Sequence, residues 1–219
     1  KQEQVRTVEG GYRGIFKNKL FLDLTAYFNE YSNFIGDVRL VSPTAPGEVG
    51  EETGVDQVLL GEYKAYQYAV NASQKVRTYG ASVAVNYYIY KGLSAYTNYT
   101  YSYIDTKDLT DPILPGYNTP RNKANIGIGG QRIVKGFGFN VNLKWVESFW
   151  WESPFGDGKI PSFTTLDMNA SYEFDKYITV QIGGSNITNN KHIEAYGSPK
   201  IGGMVYASLL FDLERNKKK

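Results

Sequence analysis

The chain has 219 residues, 42% of them hydrophobic, a formal net charge of +2 and a mean hydropathy of −0.40. No apolar run approaches the roughly 18 residues of a spanning helix, which excludes a helical membrane protein but not a barrel, whose apolar residues hide at every second position. The absence of cysteine removes disulfides, thiolate nucleophiles and Cys-ligated metals, and no basic stripe interleaved with aromatics points to nucleic acid.

Along the chain the dominant signal is alternation with period two, broken by turn residues. A first strand is expected over 8–16. Next, Leu20, Leu22, Leu24, Ala26 and Phe28 oppose Asp23, Thr25, Tyr27 and Asn29. Two sets alternating in this way occupy opposite faces of a sheet. Tyr79, Ala81, Val83, Val85, Tyr87 and Ile89 form the next apolar face, and Leu93, Ala95, Thr97, Tyr99 and Tyr101 the one after. Ala124, Ile126 and Ile128 follow, then Phe137, Phe139, Val141, Leu143 and Trp145. Leu166, Met168, Ala170, Tyr172 and Phe174 precede Ile178, Val180 and Ile182; Val205, Ala207, Leu209 and Phe211 close the series. That makes about nine strands.

The connections alternate between short and long. Lys17-Asn18-Lys19, Lys91-Gly92, Lys135-Gly136 and Asp175-Lys176 are tight polar turns; between them lie segments 36–73, 107–120, 152–162 and 188–202. Turns at one end and loops at the other are the layout of an outer-membrane barrel, with the turns in the periplasm. Tyr79 and Tyr87 on the apolar face would stand roughly 20 Å apart along the membrane normal, close to the girdle spacing of an apolar band. Aromatics at 15%, with 19 Tyr, suit such boundaries. A soluble antiparallel sandwich also alternates, but the polar face here is rich in Gly, Ser, Asn and Thr rather than Lys and Glu, as a crowded wet lumen requires. The expectation is an all-β, antiparallel up-and-down transmembrane β-barrel.

Several segments resemble the C-terminal third of TonB-dependent receptors, particularly Bacteroidetes-type members, SusC-like or siderophore-receptor-like. They are Val8-Glu9-Gly10-Gly11-Tyr12-Arg13-Gly14 with Asn18-Lys19-Leu20-Phe21, Val76-Arg77-Thr78-Tyr79-Gly80, and Asn118-Thr119-Pro120-Arg121-Asn122-Lys123-Ala124-Asn125. Phe163-Thr164-Thr165-Leu166-Asp167-Met168-Asn169 and Gly183-Gly184-Ser185-Asn186-Ile187-Thr188-Asn189-Asn190-Lys191 continue the series. The resemblance implies a barrel of about twenty-two strands around an N-terminal plug, with this chain supplying the last nine. On that reading residues 1–213 are partial barrel wall, 214–219 are a polar tail, and the plug lies outside this chain, whose polar start Lys1-Gln2-Glu3-Gln4 is a cut through a longer polypeptide rather than a signal peptide. Such barrels commonly end on an aromatic residue; here eight residues follow Phe211.

The resemblance also implies active import of a scarce nutrient through the outer membrane, driven by the TonB complex through the plug. Expected partners are outer-membrane lipid, the plug, a small-molecule, glycan or peptide substrate, and a surface lipoprotein in Bacteroidetes-type members. A passive porin-like channel and a surface-anchoring barrel are the alternatives. Neither nucleic acid nor a cofactor is expected.

Phe149-Trp150-Trp151 lies where a strand leaves the membrane on the loop side. It reads first as outer girdle and loop packing, and second as a stacking platform for a ligand, with Trp150 inward and Tyr117 joining it. Arg121, Lys123 and Asn125 form an inward row that would meet the plug or an anionic substrate. His192, the sole histidine, reads as a solvated loop residue. Glu48, Glu51, Glu52 and Asp56 form an acidic loop without the ordered spacing of a calcium site. Gly127-Ile128-Gly129-Gly130 falls within a strand and is not a phosphate loop. Asp23 and Asp167 sit on distant strands, so no paired-carboxylate site, and no enzyme, is expected.

Overall fold

The computed structural model describes residues 1–38, 68–108, 110, 113–153, 156–175 and 177–212, and every regular element among them is a strand. In chain order these are β1 (Gln4–Phe16), β2 (Leu20–Ser32), β3 (Ile35–Val38), β4 (Tyr68–Asn71), β5 (Val76–Tyr90), β6 (Leu93–Asp105) and β7 (Ile113–Leu114). They continue as β8 (Asn122–Val134), β9 (Phe137–Val146), β10 (Phe149–Trp151), β11 (Gly158–Ile160), β12 (Phe163–Glu173), β13 (Ile178–Ser185) and β14 (Met204–Phe211). Nine of them form one antiparallel sheet in the order β1-β2-β5-β6-β8-β9-β12-β13-β14. That is the up-and-down arrangement expected, with the first strand beginning earlier, at Gln4.

Register joins the apolar sets into continuous rows. Tyr12 faces Leu24, which faces Val83, which faces Tyr99, and the row passes through Ala124 to Trp145. Directly paired residues share a sheet face, so a one-residue slip anywhere would break the face in two. No other layer covers it: Val8 is 71% exposed, Ile126 59%, Ile182 58% and Leu209 55%. The buried apolar residues among those described, such as Val76, Val146, Ile160 and Phe163, sit instead at the loop end. A soluble sandwich would bury the face that is bare here.

The upper edge of the apolar face is sharp. Val8, Phe28, Tyr79 and Tyr103 are in register, and two residues higher so are Arg6, Glu30, Arg77 and Asp105, alternating in sign. Lys75 reinforces that charged row through a 2.6 Å ion pair with Glu30. Eight residues separate Val8 from Phe16, as they do Tyr79 from Tyr87, so the band between boundaries is about 20 Å tall.

The opposite face is polar and crowded. Three inward tyrosines lie over the glycine opposite them: Tyr27 over Gly80, Tyr96 over Gly127 and Tyr206 over Gly183. A Cβ at Gly127 would stand 2.4 Å from the Tyr96 ring, so glycine there makes room for a neighbour. The freed Tyr96 hydroxyl donates to Asn140 at 3.2 Å. Thr25 and Ser82 hydroxyls meet at 2.5 Å across β2 and β5, and Asn125 donates to Asn98 across β8 and β6.

At the turn end, Lys17 and Asn18 both have positive φ in the three-residue turn between Phe16 and Leu20, as do Lys91 and Gly92 in the two-residue turn between Tyr90 and Leu93, where the pattern matches strand twist. Register shifts between Tyr88 and Tyr90, so Tyr90 rather than Ile89 pairs with outward Leu93. Ile89 therefore leaves the apolar row to which strict alternation assigned it: a bulge inserts one residue and period two ends there. Between Gly130 and Val134 the register also shifts, but by two extra residues, so Val134 returns to the outward face opposite Phe137.

Replacing Val83 by Arg on the bare face is expected to destabilise the folded full-length protein by about 2–4 kcal/mol, whereas Asn86→Arg on the polar face should cost under about 1 kcal/mol. Denaturant titration of protein reconstituted in vesicles measures both.

Candidate functional site

The long connections do not stand apart. β3 pairs with β4 within the first and with β7 from the second, so two of them share a three-stranded sheet above the membrane. Gln74 adds a side-chain bond to Thr110 at 2.7 Å. The second and third are clasped by Asn118, whose side chain donates to the Glu152 carbonyl at 2.9 Å and accepts from the Glu152 N–H at 2.7 Å. The Glu152 carboxylate in turn accepts from the Gly116 N–H. Asn118 has φ 45°, a left-handed conformation that asparagine tolerates better than most residues.

The fourth connection folds back as well. Asn186 takes a hydrogen bond from Asn190 N–H at 3.0 Å, and its own N–H donates to Asp167 at 2.8 Å. The His192 ring stacks on Phe163, centroids 4.1 Å apart, and its Nδ1 sits 2.8 Å from the Asn190 carbonyl. Its side chain is only 8% exposed. The expectation of a solvated histidine is corrected: a ring with one flat apolar neighbour and two polar edges packs better than it hydrates. Glu194 approaches its Nε2 and also meets Lys144 from the inward face of β9.

Between the second and third connections lies a cleft of about 430 Å³ lined by Tyr103, Tyr117, Asn118, Arg121, Trp150 and Glu152 among others. Three of the four expected contact residues, Tyr117, Arg121 and Trp150, thus meet in one place. Trp150 is 55% exposed and sits in the β10–β11 ribbon opposite Lys159, outside the nine-stranded sheet. Its expected inward orientation was an extension of β9, but alternation ends at Val146, and the ribbon takes its own direction. Tyr117 points down from the cleft. It shares a second recess with Tyr27, Tyr31 and Thr78, and burial, followed by the neighbouring Tyr27, raises the phenol above its ordinary value. It remains a neutral hydrogen-bonding group.

Arg121 departs from the expected inward row. Its carbonyl accepts from Ser102 N–H, but its guanidinium lies 4.7 Å above the ring of Tyr103, an outward residue. Arg121 precedes β8, so ladder geometry no longer dictates its side chain, and a ring face attracts the cation. Lys123, inside β8, keeps its place opposite Thr100 on the polar face, away from the cleft. The acidic residues Glu48, Glu51, Glu52 and Asp56 lie outside the described residues. Sequence reasoning assigned no site role to Asn118, Glu147 or Glu152; the clasp singles out the first and last, and the lining of the cleft adds Glu147.

An uncovered apolar face, a polar inner face, and alternating short turns and long loops define this chain as a section of a transmembrane β-barrel wall. The family described as "TonB dependent receptor-like, beta-barrel" matches residues 1–187, and the chain belongs to it. Among solved structures it is similar to the copper transporter OprC, at 13% identity and TM-score 0.68, over 95% of this chain and 31% of that one. It is also similar to the FrpB iron transporter from Neisseria meningitidis (F5-1 variant), at 13% identity and TM-score 0.66, over 96% and 32%. A third is the pyoverdine outer membrane receptor FpvA from Pseudomonas aeruginosa PAO1 bound to pyoverdine, at 13% identity and TM-score 0.64, over 96% and 30%. At that identity the likeness is one of fold, and the chain spans about a third of each structure's length. No curated protein matches it.

Asn118→Ala should open the clasp. Both Glu152 backbone groups lose a partner, at about 1–3 kcal/mol of local stability, so hydrogen exchange across residues 115–120 is expected to accelerate while the β8 amides stay protected.

Proposed function

We propose that this chain is the C-terminal part of the barrel wall of an outer-membrane, TonB-dependent transporter that imports a scarce nutrient. Residues 1–213 would be wall and loops, 214–219 a polar tail, and the plug would come from elsewhere in the same polypeptide. The observation that carries the reading is the uncovered apolar face running in register across nine strands, which only lipid satisfies, in a member of this receptor family. The loop end, roofed by interlocked connections, faces the cell exterior; the turn end faces the periplasm. The protein acts by binding and gating rather than by bond chemistry.

Within this reading the cleft under Trp150 is the point of ligand capture. Trp150 offers an exposed ring, Tyr117 a neutral hydroxyl aimed towards the lumen, and Arg121, Glu147 and Glu152 charges of both signs at the rim. Lys123, on the lumen face, is the residue placed to meet the plug. The similar structures are of a copper transporter, an iron transporter and a pyoverdine receptor; these span several chemistries, and selectivity lies in loops and plug rather than in the wall.

Cells relying on the full-length receptor for a growth-limiting nutrient should stop importing it when TonB is deleted. Uptake that persists would instead assign a passive channel. Trp150→Ala is expected to weaken saturable uptake roughly ten-fold, about 1–2 kcal/mol of binding, with surface abundance unchanged.

A further inference from the structure

Four of the five downward strands, β1, β5, β8 and β12, end the same way. An outward hydrophobic residue is followed at once by a turn carrying lysine: Phe16-Lys17, Tyr90-Lys91 and Val134-Lys135, with Phe174-Asp175-Lys176 continuing the pattern in sequence. Phe16 pairs with outward Leu20, Tyr90 with outward Leu93 and Val134 with outward Phe137, so each apolar partner lies on the lipid side. The bulge before Tyr90 is what places it there, since strict alternation would turn it inward, whereas Val134 keeps the parity of outward Ile126 and Ile128.

Among the described residues Lys17, Lys19, Lys91 and Lys135 make no ion pair, whereas the carboxylates at this end are engaged. Arg132 holds Glu173 at 3.0 Å, and Asp175 accepts from the N–H groups of Tyr177 and Ile178. Lys91 does not extend away from the wall: its Nζ lies 5.0 Å from the centre of the Tyr90 ring, on the lipid side. A lysine serving solubility alone would project into water. Here the cation is held at the lower boundary of the apolar band, where phosphates of a bilayer leaflet lie.

We propose that the turn end carries a lysine collar, Lys17, Lys19, Lys91 and Lys135, that binds anionic phospholipid headgroups of the adjoining leaflet. Acyl chains lie along the apolar rows that begin at Phe16, Tyr90 and Val134, and the phosphate meets the ammonium groups. Continuity of collar and apolar face selects a membrane lipid over an acidic periplasmic protein, which would not need the flanking hydrophobic residues. The proposal rests on the membrane-barrel reading above, but not on TonB coupling or on any substrate.

The test uses the full-length receptor in nanodiscs of equal phosphatidylglycerol and phosphatidylethanolamine, with co-purified lipid quantified after detergent extraction. Wild-type protein should retain phosphatidylglycerol several-fold over phosphatidylethanolamine. Joint Lys17→Gln, Lys19→Gln, Lys91→Gln and Lys135→Gln should bring the retention of the two lipids to near parity, and the four Lys→Arg changes should preserve the preference. Heat-resistant migration of each variant establishes that it is folded, and nutrient uptake is measured in parallel. Lost preference with intact uptake supports the collar. Equal retention of the two lipids by wild type, or a preference unchanged in the folded glutamine variant, overturns it whatever happens to uptake. Failure of TonB dependence alone would overturn the transport reading and leave the collar standing.

Discussion

In hydrocarbon there is no water to complete the hydrogen bonds of an N–H or C=O group, so every backbone polar group in the membrane must be met by a neighbouring strand. That requirement makes register the governing constraint here. Once the ladders are complete, side-chain facing is fixed two residues at a time, and each strand inherits its orientation from the one before. The row from Tyr12 through Leu24, Val83, Tyr99 and Ala124 to Trp145 is one consequence. The glycines beneath Tyr27, Tyr96 and Tyr206 are another: with backbone positions set by the ladder, these three rings lie over cross-strand partners that have no side chain. β1 and β14 are the edges of this sheet and do not pair with each other. Their exposed ladders need strands from elsewhere in a complete barrel.

Outside the membrane the constraint relaxes and the chain satisfies its polar groups in other ways. The Asn118–Glu152 clasp, the shared β3–β7 pairing and the stack of His192 on Phe163 tie consecutive connections to one another and to the rim. The cleft therefore belongs to an assembly of loops rather than to one of them. Tyr117 lines a recess with Tyr27 on the polar face as well as the cleft above it.

The wall was legible in the sequence because period two is a local property: Leu20, Leu22 and Leu24 declare their common face without knowledge of any partner. Strand count, direction and the order of turns and loops followed from the same signal. Legibility ended where geometry stopped being local. Nothing in Tyr88-Ile89-Tyr90 distinguishes a bulge from continued alternation. Arg121 and Trp150 were assigned faces by extending ladders past their last paired residue. His192 was assigned to solvent because its loop is polar, whereas its surroundings are supplied by Phe163, twenty-nine positions earlier in the chain. Three cleft residues were nonetheless named, since an aromatic cluster at a strand exit and an arginine at a strand start sit at the same membrane height on neighbouring elements.

The chain contains no cysteine, so single cysteines carrying a fluorescent label can be introduced one at a time into the full-length protein in bilayers. Labels at positions 24, 83, 126 and 143 should be quenched by brominated acyl chains, and those at 25, 82, 125 and 142 should not, their environment being the interior. Loss of that alternation, with both sets shielded from lipid alike, would contradict a wall whose outer face is wetted by the membrane.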